Sequence, residues 1–192
     1  KTVYTPEAKG QTVDTLTRFA LEKAGITPDQ KVNFVYAPAQ EIVQLFKEGK
    51  INFAALPEPF VALALEGSNG TIVLDYQEYW SEESGAVNGI PIAGLFVKRD
   101  FYQENPDTVE DVVQTFSESI RWANEHPEES IEASSQLISI PSNIMLASLQ
   151  RLKFEYVTAS QCKQEVLDFL HTIQNVYPEG IKLIPPDDFF AE

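Results

Sequence analysis

Residues 31–65 read KVNFVYAPAQEIVQLFKEGKINFAALPEPFVALAL, and the order of patterns in this stretch decides the fold class. Lys31 to Tyr36 is rich in β-formers, and Pro38 leads into a helix that puts Ile42, Leu45 and Phe46 on one face. Gly49 ends that helix, because glycine tolerates the left-handed backbone that closes a helix. Ile51 to Leu56 is an apolar run of strand length, and Phe60 to Leu65 is a short helix behind Pro57-Glu58-Pro59. Strands alternating with helices in this way predict βαβ units: an α/β fold with a mainly parallel sheet flanked by helices.

The alternation continues on both sides. Thr2 to Tyr4 reads as a strand and Thr5 to Gly10 as a loop. A helix follows with Val13, Leu16, Phe19, Ala20 and Ala24 on its buried face and Gly25 at its end. Thr71 to Leu74 and Ile92 to Lys98 read as further strands. Beyond them the pattern becomes helical. From Asp107, an apolar stripe runs through Val109, Val112, Val113, Phe116, Ile120 and Ala123 until His126-Pro127 stops it. Helices are predicted near 128–138, 142–151 and 159–177, with an irregular tail from Ile184 to Phe190. The seam falls between Ser84 and Ile90, dividing an α/β part (1–89) from a helix-rich part (90–192).

Composition narrows the function. With 192 residues, 43% hydrophobic and 22% charged, the chain has the make-up of a globular protein. Lys plus Arg number 14 against 29 Asp plus Glu, a net charge of −15, so the basic footprint of a nucleic-acid binder is missing and anionic membranes are disfavoured. The apolar runs are too short to span a bilayer. A single cysteine, Cys162, supports neither an internal disulfide nor a cysteine zinc site. His126 and His171 lack partners at ligand spacing, and Gly49-Lys50 lacks the rest of a phosphate loop. Asp187-Asp188, Glu82-Glu83 and Glu128-Glu129 read as solvated carboxylates. No catalytic motif, metal set or cofactor motif emerges.

Two places stand out as ligand-binding. In Gly10-Gln11-Thr12 a glycine precedes polar side chains at the start of an amphipathic helix, where backbone N–H groups attract an anionic or polar group. The alternative is an ordinary N-cap. In Leu56-Pro57-Glu58-Pro59-Phe60 two prolines fix the backbone around a carboxylate and an aromatic at a strand's carboxyl end, where open α/β sheets bind ligands. The alternative is a helix begun by Pro59 and capped by Glu58.

These residues resemble a family of ABC-transporter solute-binding proteins: the type 2 periplasmic binding proteins associated with nitrate, sulfonate, taurine and thiamine-precursor uptake. The resemblance is carried by Lys1-Thr2-Val3-Tyr4-Thr5-Pro6, Gly10-Gln11-Thr12, Leu21-Glu22-Lys23-Ala24-Gly25-Ile26 and Glu48-Gly49-Lys50-Ile51 through to Phe60. Ile92-Ala93-Gly94-Leu95-Phe96-Val97, Phe101-Tyr102-Gln103-Glu104-Asn105-Pro106 and Pro186-Asp187-Asp188-Phe189-Phe190 extend it along the chain. It covers the family's C-terminal two-thirds.

The resemblance implies that residues 1–89 are the complete second lobe and 90–192 a crossover strand plus the helical remainder of the first lobe. It implies a small-molecule solute in an interlobe cleft, a membrane-embedded ABC permease as partner, and no catalysis. Gly10, Gln11, Thr12, Pro57, Glu58 and Phe60 then face the cleft, with Asn88 in the hinge-side loop from Ser84, and Tyr36 and Trp80 as aromatics for stacking. Gln11-Thr12 suits a sulfonate, carboxylate or nitrate, whereas Glu58 suits an amine or ring nitrogen. The expected location is extracytoplasmic, in the periplasm or lipid-anchored, with a leader and most of the first lobe ahead of Lys1. An uncovered cleft face would then favour dimerisation. Two rival readings remain: a thiamine- or menaquinone-precursor enzyme on the same fold, and the ligand-sensing domain of a regulator.

Overall fold

β-Branched and aromatic residues build two short strands, β1 (Thr2–Thr5) and β2 (Asn33–Tyr36), paired in parallel with Thr2 opposite Asn33 and Thr5 opposite Tyr36. The computed structural model describes every residue except Glu7, Lys153 and Glu192; Glu7, read as part of the loop after β1, lies outside the described residues. Parallel strands need a crossover, and α1 (Thr12–Lys23) supplies it. At the other edge of β1, the Tyr4 N–H donates to the Phe53 carbonyl at 3.1 Å and the Ala55 N–H to the Tyr4 carbonyl at 2.8 Å. The predicted strand Ile51–Leu56 is thereby reduced to a parallel bridge between Tyr4 and Ala54.

The helices that follow are α2 (Ala39–Lys47), α3 (Phe60–Leu65), α4 (Tyr76–Ser84), α5 (Arg99–Glu104), α6 (Pro106–Glu125), α7 (Pro127–Ser134), α8 (Ser142–Leu149) and α9 (Ala159–Val176). The tail carries a 3-10 turn at Asp187–Phe189. The architecture is α/β with parallel strands and helices dominant. Sequence reading had not foreseen α4, which the Asp75 carboxylate starts by accepting the N–H groups of Gln77 and Glu78.

The chain forms two compact units, Lys1–Pro91 with Ala159–Glu192, and Ile92–Thr158. The expected division at residues 89 and 90 placed everything from 90 onward together; the structure instead returns 159–192 to the first unit. The reason is apolar packing. Phe169 and Ile173 of α9 join Leu16 and Phe19 of α1, Trp80 of α4 and Ile90 in one buried cluster. Each such side chain contributes roughly 1.5–3 kcal/mol by leaving water. Ile42 and Val43 of α2, Ala62 and Ala64 of α3, and Ile51 and Ala55 are also buried, and α2 packs on α3.

In the second unit α5 packs on α6, α6 on α7 and α7 on α8. Ile131 and Ile144 are its buried aliphatics, while Val112, Phe116 and Trp122 of α6 stay exposed. Two expected strands are corrected, 71–74 in the first unit and 92–98 in the second. Residues 71–74 and 92–98 have no ladder, and Ile72, Val73, Leu74, Ile92, Leu95, Phe96 and Val97 are exposed. A β-rich run becomes a strand only when a neighbouring strand takes its backbone hydrogen bonds.

Candidate functional site

The middle of α1 is buried all round, from Asp14 to Ala20. Its apolar side, with Leu16 and Phe19, meets α4 and α9. Its polar side lies against β2: the Arg18 guanidinium sits 4.1 Å from the centre of the Phe34 ring. A dense charge network forms there. Arg18 Nε donates to both Asp14 oxygens at 3.0 Å, and Arg18 Nη1 and Nη2 donate to the Asp29 carboxylate at 2.8 and 3.2 Å. The Tyr36 hydroxyl donates to Asp14 Oδ1 at 2.8 Å and accepts from Arg18 Nη2 at 3.0 Å. The Gly10 N–H donates to Asp14 Oδ2 at 2.8 Å.

The pKa shifts follow from this geometry. Burial works against the Arg18 charge, but the hydrogen bonds to Asp29, Asp14 and Tyr36 prevail and raise its pKa. The Arg18 hydrogen bond lowers Asp29, and burial raises the Tyr36 phenol. Asp29 holds a left-handed backbone at φ 61°, which an Asp tolerates better than most residues.

Strand pairing brings three chain segments to one edge: β1 ends at Thr5, β2 at Tyr36, and the bridged segment runs on into Leu56-Pro57-Glu58. The start of α1 is tied to this edge through Asp14. Gln11 is its N-cap, with extended backbone and no side-chain capping bond. The backbone N–H groups of Gly10 and Gln11 are already engaged, the first by Asp14 and the second by the Ala8 carbonyl at 3.2 Å. The expectation that Gln11 offers a free amide is corrected accordingly; the Gln11 and Thr12 side chains are exposed.

Glu58 is half-buried, and its Oε2 accepts the Ala62 N–H at 3.1 Å, so it does cap the start of α3. Pro57 accepts the Phe60 N–H at 3.0 Å, which holds Phe60 beside it. Asn88 lies in the loop after α4, with its backbone N–H donating to Glu165 of α9 at 3.2 Å. Trp80 is corrected outright. It is 2% exposed, 5.5 Å from Phe19 and 5.1 Å from Phe169 between ring centres, so the large indole serves the core and not a solute.

Sequence reasoning missed Asp14, Arg18 and Asp29. The four-residue spacing of Asp14 and Arg18 was visible, but on a helix such a pair is most often a surface pair. Burial raises the Cys162 thiol, in keeping with an unreactive cysteine. Among the described residues no His, Cys, Asp and Glu group is placed to hold a metal, and no helix is long and apolar enough to cross a membrane. The second unit carries a hollow of about 220 Å³ lined by Ala123, Asn124, Pro127, Leu146, Leu149, Gln150 and Leu152, which includes none of the expected site residues.

The profile of the NMT1-like family matches residues 5–139, well over half of the chain and including both the α1 start and the Pro57–Phe60 segment. The chain belongs to the NMT1-like family. Among solved structures, this NMT1-like chain is similar to an ABC transporter protein from Parabacteroides distasonis, with a TM-score of 0.72 and 23% identity over 99% of this chain and 66% of that one. It is also similar to the periplasmic aliphatic sulphonate binding protein of Escherichia coli, with a TM-score of 0.68 and 20% identity over 96% of this chain and 58% of that one. These likenesses show the fold. A nitrate import ATP-binding protein of Synechococcus elongatus is 31% identical over 93 residues, 48% of this chain and 13% of its own length. The NMT1-like chain thus spans less than two thirds of each of these relatives.

Proposed function

We propose that this NMT1-like chain is part of the solute-binding component of an ABC importer, acting outside the cytoplasm without catalysis. A small polar solute would bind in an interlobe cleft and be delivered to a membrane permease. The observation that carries this reading is the convergence, at one sheet edge, of Tyr36, the Pro57–Phe60 segment and, through Asp14, the Gln11–Thr12 helix start. Gln11, Thr12, Tyr36, Pro57, Glu58, Phe60 and Asn88 are the proposed contacts, with Gly10 shaping the loop; Trp80, buried in the core, is not among them. Residues 1–91 with 159–192 are assigned to the second lobe, and 92–158 to the first.

Charge favours a solute with a nitrogen donor, such as a pyrimidine or an amino-sulfonate. Lys9 is the cationic residue of segments 5–14, 36–40 and 56–62, and its Nζ is paired with Asp29 at 3.3 Å. Glu58 brings a carboxylate to the same edge, which repels a bare anion and attracts a cationic or N–H group.

A thermal-shift screen with nitrate, taurine, ethanesulfonate, bicarbonate and cytosine on wild type and Glu58→Gln tests the reading. A ligand at 100 times its Kd stabilises by about 2.7 kcal/mol, a shift that is easily read. A hit weakened by Glu58→Gln supports both solute class and site. Failure of every compound on the full-length protein contradicts the proposal.

A further inference from the structure

Burying a charge without compensation is costly, and an apolar pair often serves stability as well as a buried ion pair does. Asp14 is 0% and Arg18 4% exposed. What distinguishes the pair is the set of segments it joins. Asp14 receives the Gly10 N–H on one oxygen and the Tyr36 hydroxyl on the other, while Arg18 bonds both carboxylates and the same phenol. The phenol oxygen therefore donates and accepts within the chain, and the ring is held from its far end. The Lys9–Gln11 loop is fixed by the same carboxylate that holds Tyr36.

We infer that Asp14 and Arg18 are positioning residues of the solute site: they set the α1 start and the Tyr36 ring at one relative placement, so that a solute meets Tyr36 by its ring and not by its hydroxyl. This rests on the solute-binding reading. A solute with a flat or apolar portion beside its polar group fits that surface, since an aromatic ring whose hydroxyl is engaged offers its face. The ion pair need not touch the solute.

The test compares wild type, Tyr36→Phe, Asp14→Asn and the core variant Phe169→Leu. Titration calorimetry with taurine, ethanesulfonate and cytosine is paired with melting temperature and with amide exchange over residues 8–13. Tyr36→Phe keeps the ring and the Asp14–Arg18 pair, so it folds even where Asp14→Asn does not. The expected result is at least tenfold weaker binding in Tyr36→Phe with faster exchange in the loop, while Phe169→Leu melts lower but keeps the wild-type Kd. Wild-type affinity in Tyr36→Phe, or equal weakening in Phe169→Leu, overturns the positioning role and leaves the solute reading standing. Absence of binding in wild type overturns the solute reading and this inference with it.

Discussion

The Tyr36 hydroxyl donates to Asp14 Oδ1 at 2.8 Å, which ties the carboxyl end of β2 to the first turn of α1. Because Asp14 also takes the Gly10 N–H and the Arg18 Nε, a single carboxylate organises the loop, the helix and the strand end. The consequences for stability are direct.

Asp14→Ala removes the buried acceptor of the Arg18 Nε, the Gly10 N–H and the Tyr36 hydroxyl, while Asp29 still pairs with Arg18. A fully orphaned buried charge costs about 3–5 kcal/mol; because Asp29 stays with Arg18, the loss should fall below that range and read as a lower urea midpoint. Replacing both partners together, Asp14→Leu with Arg18→Met, recovers part of that loss. A double variant weaker than either single one would show that the network stabilises beyond the cost of unmatched polar groups.

Gly10→Ala is destabilising for two reasons. Gly10 has φ 87°, where an L-residue costs about 1–2 kcal/mol. An added Cβ would also collide with the Tyr177 ring. Tyr177→Ala in the same chain relieves the collision but not the backbone cost, so denaturation of the four species should give a non-additive cycle. Strict additivity would contradict the collision.

Stability should depend on Asp29 in acid. Its hydrogen bond from Arg18 holds the folded-state pKa below the ordinary 3.8. The unfolded chain therefore binds the proton more readily, and the stabilisation is complete above 3.8 and declines as pH falls through the folded value. Asp29→Asn lacks this term, while Asn still tolerates the left-handed backbone. The advantage of wild type over Asp29→Asn, modest because Asp29 is half exposed, should be constant near neutrality and shrink below pH 4. A gap that widens in acid would contradict the assignment.

The two tryptophans should respond differently to solvent. Trp80 is 2% exposed and Trp122 44%. Trp122→Phe should leave a blue-shifted emission that iodide quenches poorly; Trp80→Phe should leave a red-shifted, readily quenched one. The opposite pattern would place Trp80 back at the surface.

Much of the fold was legible where the signal is local. The apolar period marked α1, α2, α6 and α9, and Gly25 and Gly49 ended the first two with φ of 71° and 69°. The strands at 71–74 and 92–98 were misread because strand formation depends on a partner that composition does not reveal. α4 was missed although Asp75 with Glu78 three residues on is a capping signature, and that omission left Trp80 looking like a surface aromatic. At the site, the segments around Gln11, Tyr36 and Glu58 were named from glycine, proline and strand-end patterns. The Asp14–Arg18–Asp29 network that joins two of them was not, because a polar helix face reads as solvated until a strand is seen to cover it.

The most direct test of the central claim is where a bound solute protects the chain. Amide-exchange mass spectrometry of the full-length protein, with and without the compound that stabilises it most, resolves this peptide by peptide. Solute binding at the sheet edge predicts slower exchange in the peptides around 10–13, 36–39 and 57–62, with those of α8 unchanged. Protection confined to the second unit, around Asn124 and Leu146, would contradict it.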